Sequence, residues 1–267
     1  MADNSSYKRK FRTGEQTMNI ENPVVSVIIP AYRCSETIDA AIQSVLIQDV
    51  SLEVIVINDA SPDNLDSIME KYKEDDRIVY IKNKRNMGAA KTRNRGVLLA
   101  RAPYVAFLDS DDLWQPGKLK KQLNCLYKTE GVLCSTAREL MTEDGQRTGR
   151  VIPVNHEVTY ESLLKHNSIA CSSVVLQTEV AREFPMIHED SHEDYIAWLQ
   201  ILGKYGVGYG ISEPLLLYRK STKGKSGNKI KSAWMTFKVY RYMGFGWIKS
   251  MCCFVSYVWN GVKKYYL

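Results

Sequence analysis

Three short apolar runs, residues 24–29 (VVSVII), 53–57 (EVIVI) and 104–108 (YVAFL), constrain this chain most, because each is rich in strand-forming residues and stops abruptly at a polar or turn-forming one. Between the first two, residues 35–48 carry Ile38, Ala41, Ile42, Val45 and Leu46 at helical spacing, with Ser35 as the expected N-cap. Helical patterns over 64–72 and 89–100 and a strand over 78–81 continue the alternation. Strand and helix in strict turn predict an α/β fold, a Rossmann-like, mainly parallel sheet with right-handed crossovers and helices on both faces. Such sheets bind ligands beyond the carboxyl ends of their strands. Pro30, Ala31 and Tyr32, then Asp59, then Asp109, Ser110 and Asp111 all fall at such ends, so one functional rim is expected.

The third run leads directly into Asp109, Asp111 and Asp112. Three carboxylates at a strand end repel one another unless a cation or strong donors neutralise them. A hard divalent ion, Mg2+ or Mn2+, held by one or two carboxylates while it bridges substrate phosphates, fits that need. A polar turn in which Asp111 or Asp112 caps a helix beginning near Gln115 is the alternative. The stretch 83–95 adds Asn86-Met87-Gly88 followed by Lys91, Arg93 and Arg95 in helix-favouring order. A helix start of this kind attracts phosphate, and a solvated basic face is the other reading. Neither G-x-G-x-x-G nor G-x-x-x-x-G-K-[ST] follows the first strand, which argues against a dinucleotide dehydrogenase or a P-loop NTPase.

A second polar cluster, His188, Glu189, Asp190, His192, Glu193 and Asp194, stands just before the amphipathic run 195–202. His188 and His192 are four apart and would share a helix face, but a zinc site lacks a clear third ligand, the other histidines being His156 and His166. Acids gathered at a helix N-terminus account for the cluster equally well. Trp198, four residues after Asp194, is open to stacking on an acceptor sugar or to burial.

Taken in order, VSVIIPAYR, VINDASPD, NMGAAKTRNRG, FLDSDD and HEDYIAWLQ resemble the family 2 inverting glycosyltransferases, whose catalytic domain has the GT-A fold. The resemblance runs from about Val24 to Arg219. It implies that Pro30, Ala31 and Tyr32 pack on the nucleotide base and ribose, and that Asp59 accepts from a base N–H, as suits uracil. It also places Arg93 in the donor-binding helix, reaching the base or the diphosphate. Asp109, Ser110 and Asp111 match the D-x-D element, with Asp109 near the ribose and Asp111 the metal ligand. Asp194 matches the general base. One departure is Asn58-Asp59-Ala60-Ser61, where many members read Asp-Asp-Gly-Ser; Asp59 itself is retained. The implied reaction is a single displacement that inverts the anomeric centre of a nucleotide-sugar, with Mn2+ or Mg2+ as cofactor.

Residues 219–267 hold 11 basic and no acidic residues, and 11 of these 49 are aromatic, so the body of the chain is net acidic although the whole carries +6. A basic, Trp- and Tyr-rich, helix-compatible tail points to an anionic membrane surface as partner and away from nucleic acid. The 13 residues between Lys249 and Lys263 reach roughly 20 Å as helix, short of the ~30 Å hydrocarbon core. The tail is therefore expected to lie on the bilayer, or alternatively to dock on the catalytic domain. Lys220, Lys223 and Lys225 stand where they could meet a diphosphate or the phosphates of a lipid-linked acceptor. With 45% hydrophobic residues the chain can bury one sizeable core.

The expected layout is a disordered leader (1–22), a GT-A domain (23–218, with a nucleotide-sugar half 23–112 and an acceptor half 113–218) and a helical tail (219–267). In the acceptor half a helix over 156–165, a strand over 171–176 and two short strands over 208–218, broken at Pro214, are expected. No secretion signal and no C-x-x-C pair among six cysteines point to reduced thiols in the cytoplasm, with the protein peripheral at the inner face of the plasma membrane. The acceptor is expected to be a saccharide, lipid-linked, in surface polysaccharide assembly. A sugar-nucleotide nucleotidyltransferase and a non-catalytic nucleotide-sugar binding module are the rival classes.

Overall fold

The computed structural model describes residues 22–220 and 229–266. The leader, and the lysines Lys223 and Lys225, lie outside the described residues. The chain opens with β1 (Val25–Ala31), α1 (Ile38–Leu46), β2 (Leu52–Asn58), α2 (Leu65–Met69), β3 (Ile78–Lys82), α3 (Ala89–Leu99) and β4 (Tyr104–Phe107). It continues through β5 (Leu113–Trp114), α4 (Lys118–Thr129), β6 (Leu133–Met141), β7 (Arg147–Ile152), β8 (Glu157–Thr159), α5 (Tyr160–Lys165), β9 (Val175–Gln177) and α6 (Thr178–Glu183). Last come α7 (Glu193–Tyr205), β10 (Val207–Arg219), α8 (Lys229–Tyr242) and α9 (Trp247–Tyr266).

One sheet runs β3-β2-β1-β4-β9-β6-β10-β5, with β7 on β6 and β8 on β10. The first four strands are mutually parallel, as strand–helix alternation requires. Antiparallel pairs enter where β9 joins β4 and β6. Residues alternate between two cores: Ile28, Ile55, Ile57, Val105 and Phe107 face one, while Val27, Val54, Val56 and Ala106 face the other. Helices α3, α6 and α7 cover the first core, and α1, α2 and α4 the second. At Gly96 a Cβ would stand 2.4 Å from Ile28 Cγ2, so only glycine lets α3 lie this close to β1.

Several local expectations change. Thr37, not Ser35, stands at the start of α1, because the backbone N–H of Ser35 donates to Asp63 Oδ2 at 2.8 Å and holds that residue in the preceding loop. The helix expected near Gln115 begins at Lys118, after Gly117, and no aspartate caps it. β5 intervenes, fixed by the buried Trp114, while Asp112 turns inward. Residues 207–219 form one strand, not two; Pro214 is absorbed by register shifts against β6 between Ile211 and Leu216. Within 156–165 the first residues pair as β8, and only α5 is helical, with Thr159 and Ser162 forming its capping box. Likewise 171–173 is a 3-10 turn ahead of β9.

The tail helices dock on the domain. Met235, Phe237, Val239 and Tyr240 of α8 are buried, about 1.5–3 kcal/mol for each large apolar side chain taken from water. Tyr240 donates to the Leu164 carbonyl at 2.7 Å, and Tyr257 of α9 lies against Tyr195, centroids 6.1 Å apart. Yet α9 turns Ile248, Met251, Val255, Val258 and Trp259 outward, an apolar stripe at helical spacing. No helix among the described residues is long and apolar enough to cross a membrane.

Candidate active site

The loops after β1 and β2 are tied together. Arg33 N–H donates to Ser61 Oγ at 2.6 Å, and Ser61 N–H donates to Asn58 Oδ1 at 2.7 Å. Pro30 and Ala31 close β1, and Tyr32 follows, 41% exposed, with the Arg33 guanidinium 5.4 Å from its ring centroid. Asp59, buried at the end of β2, accepts from Met87 N–H and Gly88 N–H, both at 2.8 Å, and from Asn83 Nδ2 at 2.6 Å. Its carboxylate therefore shapes the loop that starts α3. Gly88 has φ +86, in the region that favours glycine, and a Cβ there would meet the Glu189 carboxylate at 2.5 Å.

Beyond β4 the acidic turn separates its side chains. Asp109 takes an ion pair from Arg93 of α3, and its N–H donates to Ser172 Oγ at 3.1 Å. Ser110 touches the buried thiol of Cys34, pushed up to about 11 by burial, which sets the β1 loop against this turn. Asp111 is pushed up to about 6 by burial and by Asp109, and no donor from another described residue reaches its carboxylate. Asp112 is interior: Oδ1 accepts from Arg219 N–H at 2.8 Å, and burial with Asp109 and Asp111 holds the carboxyl well above its ordinary range. Arg219, the last residue of β10, also donates from Nε to the Asp111 carbonyl at 2.8 Å.

This donor set suits a hard cation. Asp111 is a largely shielded carboxylate short of donors, and a cation would relieve it. No group of three or more His, Cys, Asp or Glu that could hold a metal occurs among the described residues, so the remaining ligands would come from substrate phosphate and water, the usual habit of Mg2+ and Mn2+.

Arg93 extends the cluster to α7. Its guanidinium is buried and commits Nη2 to Asp109 and Nη1 to Glu193 Oε1 at 3.4 Å. Burial opposes its charge, but Asp109 and Glu193 hold it well above its ordinary value. The Asp194 carboxyl next to it is pushed up by burial and by Glu193, and pulled down by His192 and Arg93. Burial holds the Cys171 thiol well above its ordinary range, with Arg93 pulling it down and Asp109, Asp194 and Glu193 pushing it up. A groove of about 760 Å³ bordered by Tyr160, Leu199, Lys204 and Met243 lies apart from this cluster.

His188 and His192 do not share a helix: His188 lies in a loop at φ +64 and His192 precedes the first turn of α7. Trp198 is 1% exposed and packs near Phe107, which assigns it to the core and removes it from acceptor stacking. Sequence reasoning passed over Glu193, Asn83, Ser172 and Arg219 as working parts. Only Glu193 carried a signal, its place beside Asp194.

The sequence model of glycosyl transferase family 2 matches residues 26–178. The chain belongs to that family. TuaG of Bacillus subtilis, named as a teichuronic acid biosynthesis glycosyltransferase, is 36% identical over 91% of this chain and 97% of its own length. An Escherichia coli protein, WfaP, named as a UDP-Glc:α-D-GlcNAc-diphosphoundecaprenol β-1,3-glucosyltransferase, is 35% identical over 91% of this chain and 95% of its own. Among solved structures, S. aureus TarS 1-349 in complex with UDP-GlcNAc superposes with a TM-score of 0.67 at 20% identity, over 80% of this chain and 65% of that one. The mannosyltransferase PcManGT from Pyrobaculum calidifontis, in complex with GDP-Man and Mn2+, gives 0.63 at 17% identity, over 84% of this chain and 65% of that one. The fold of this family 2 glycosyltransferase is GT-A.

Proposed function

We propose that this glycosyltransferase moves a sugar from a UDP-sugar to a hydroxyl of a lipid-linked saccharide in bacterial surface polysaccharide assembly, with inversion at the anomeric carbon. The charge cluster carries the reading: Arg93 ties Asp109, on the donor side, to Glu193, whose neighbour Asp194 is the general base. Support for the donor and acceptor comes from WfaP, whose name states both.

In this reading residues 23–112 bind the donor and 113–218 build the acceptor wall. Pro30, Ala31 and Tyr32 flank the base and ribose, and Asp59 fixes the 83–88 loop around the base edge. Asp109 and Ser110 stand toward the ribose, and Asp111 would hold Mn2+ or Mg2+. A bound cation supplies neutralisation of charge on the departing diphosphate. Arg93 holds Asp109 in place. Asp194, its proton affinity raised by burial, takes the proton from the attacking hydroxyl on the face opposite the nucleotide. One displacement leaves no covalent sugar–enzyme species, and an α-linked donor gives a β-linked product.

The outward stripe of α9, bordered by Lys249, rests on the inner face of the plasma membrane, where a lipid-linked acceptor lies. The test is a panel of UDP-, GDP- and dTDP-sugars offered with GlcNAc-diphosphoundecaprenol, scored for nucleotide release and for product linkage by NMR. UDP release with a β-linked product is expected. An α-linked product, release of pyrophosphate, or nucleotide binding without turnover would overturn the reading.

A further inference from the structure

The segment between α6 and α7 is strung between two helices. On one side the His188 ring stacks on Tyr242 of α8, centroids 3.7 Å apart and planes 6° off parallel. Asp190 accepts from Lys238 Nζ at 2.6 Å and from Tyr242 Oη at 2.9 Å, so two side chains one helical turn apart grip a single carboxylate. His192 Nε2 stands 3.2 Å from the Ser232 carbonyl, also on α8. On the other side Glu189 reaches toward the start of α3, with Lys91 N–H at 3.5 Å from Oε1, and Glu193 meets Arg93. Asp194 follows directly.

An exposed ion pair adds little to folding, and His188 is held at φ +64, a backbone conformation unfavourable for a residue with a side chain. Four polar and aromatic contacts spent on five consecutive residues are better accounted for by position: they set where the first turn of α7 begins. We propose that Tyr242 and Lys238 of α8 are positioning residues for the transfer reaction, holding the 188–192 segment so that Asp194 meets the acceptor hydroxyl. This rests on the reading of Asp194 as the base. It makes the tail part of the catalytic apparatus in addition to any anchoring role.

The test uses the full chain with Tyr242→Ala, Tyr242→Phe and Lys238→Asp, each followed by UDP release from UDP-glucose and UDP-GlcNAc in the presence of GlcNAc-diphosphoundecaprenol. Tyr242→Ala should lower kcat about tenfold, the scale on which sub-ångström misplacement acts, with donor KM and UDP affinity unchanged within about twofold. Tyr242→Phe keeps the stack and should fall between, and Asp190→Lys should restore the Lys238→Asp enzyme by reversing the pair. Unchanged kcat, or a loss that tracks UDP affinity or melting temperature, overturns the proposal. Adding Tyr242→Ala to Asp194→Asn should change the residual rate by less than about twofold, because both act through one group. A full tenfold loss there places the α8 effect elsewhere and overturns the proposal, whereas normal turnover in Asp194→Asn alone overturns the base assignment. Hydrogen exchange needs no substrate: amides 191–195 should exchange faster in Tyr242→Ala, and unchanged exchange also refutes it.

Discussion

Arg93 of α3 and Glu193 of α7 lie 100 residues apart in sequence and meet at 3.4 Å, with the same guanidinium also paired to Asp109. One buried cation therefore joins the helix that follows the 83–88 loop, the acidic turn after β4 and the helix that carries Asp194. Removing a single partner from such a cluster leaves charge stranded in the interior.

Arg93→Met should accordingly destabilise the fold by about 3–5 kcal/mol, the usual cost of breaking a buried pair from one side. Arg93→Lys, which keeps the charge but not the fork, should fall between. Urea unfolding at pH 7 measures this, and a change under ~1 kcal/mol would show that the bridge is not needed for folding.

Asp194→Asn should reduce transfer by about 10²–10⁴-fold, the range for loss of a general base, while leaving UDP affinity nearly intact. Calorimetric titration with UDP alongside a transfer assay separates the two effects. Turnover at the native rate removes Asp194 from the mechanism.

Asp111 titrates near pH 6 in the fold against an ordinary value of 3.8. A raised carboxylate pKa means the folded state binds more protons in that window, so the contribution of Asp111 to stability falls as pH rises from about 4 through 6. A cation that binds the ionised form reverses this. Mn2+ should thus raise the melting temperature more at pH 7 than at pH 5, and Asp111→Asn should abolish the difference. An equal Mn2+ shift in the variant would move the cation to another residue.

On α9, Ile248→Glu with Val255→Glu should weaken sedimentation with phosphatidylglycerol vesicles by at least about tenfold, since each apolar side chain withdrawn from lipid is worth ~1.5–3 kcal/mol. Because both side chains face outward, the melting temperature should stay the same. Vesicle binding equal to that of the unaltered chain would leave the stripe without a lipid role.

The parallel half of the sheet was legible because β1, β2 and β4 are continuous apolar runs ending at polar residues, and because α1 and α3 keep their helical periods. Residues 113–218 were not. β6 reads LCSTARELM, with Ser135, Thr136 and Glu139 buried alongside its apolar residues, so no alternation marks it. Glu139 is tolerable there because Arg147 of β7 pairs with it, a partner no local window reveals. Pro214 reads as a strand break, yet a shifted register against β6 absorbs it.

What the residue order determined alone is local: which runs bury both faces as strands, where turns must fall, and that carboxylates collect at strand ends. Which carboxylate does what depended on tertiary contacts. Asp112 is turned inward by the Arg219 backbone, Asp111 is left without a donor from another described residue, and Asp59 is closed around by the 83–88 loop. The tail followed the same division, its charge and aromatic content being plain in the sequence. Only the packing of Tyr240 and Tyr257 against the domain decided which side of α9 faces outward, because apolar side chains stand on more than one side of that helix and its neighbours choose among them.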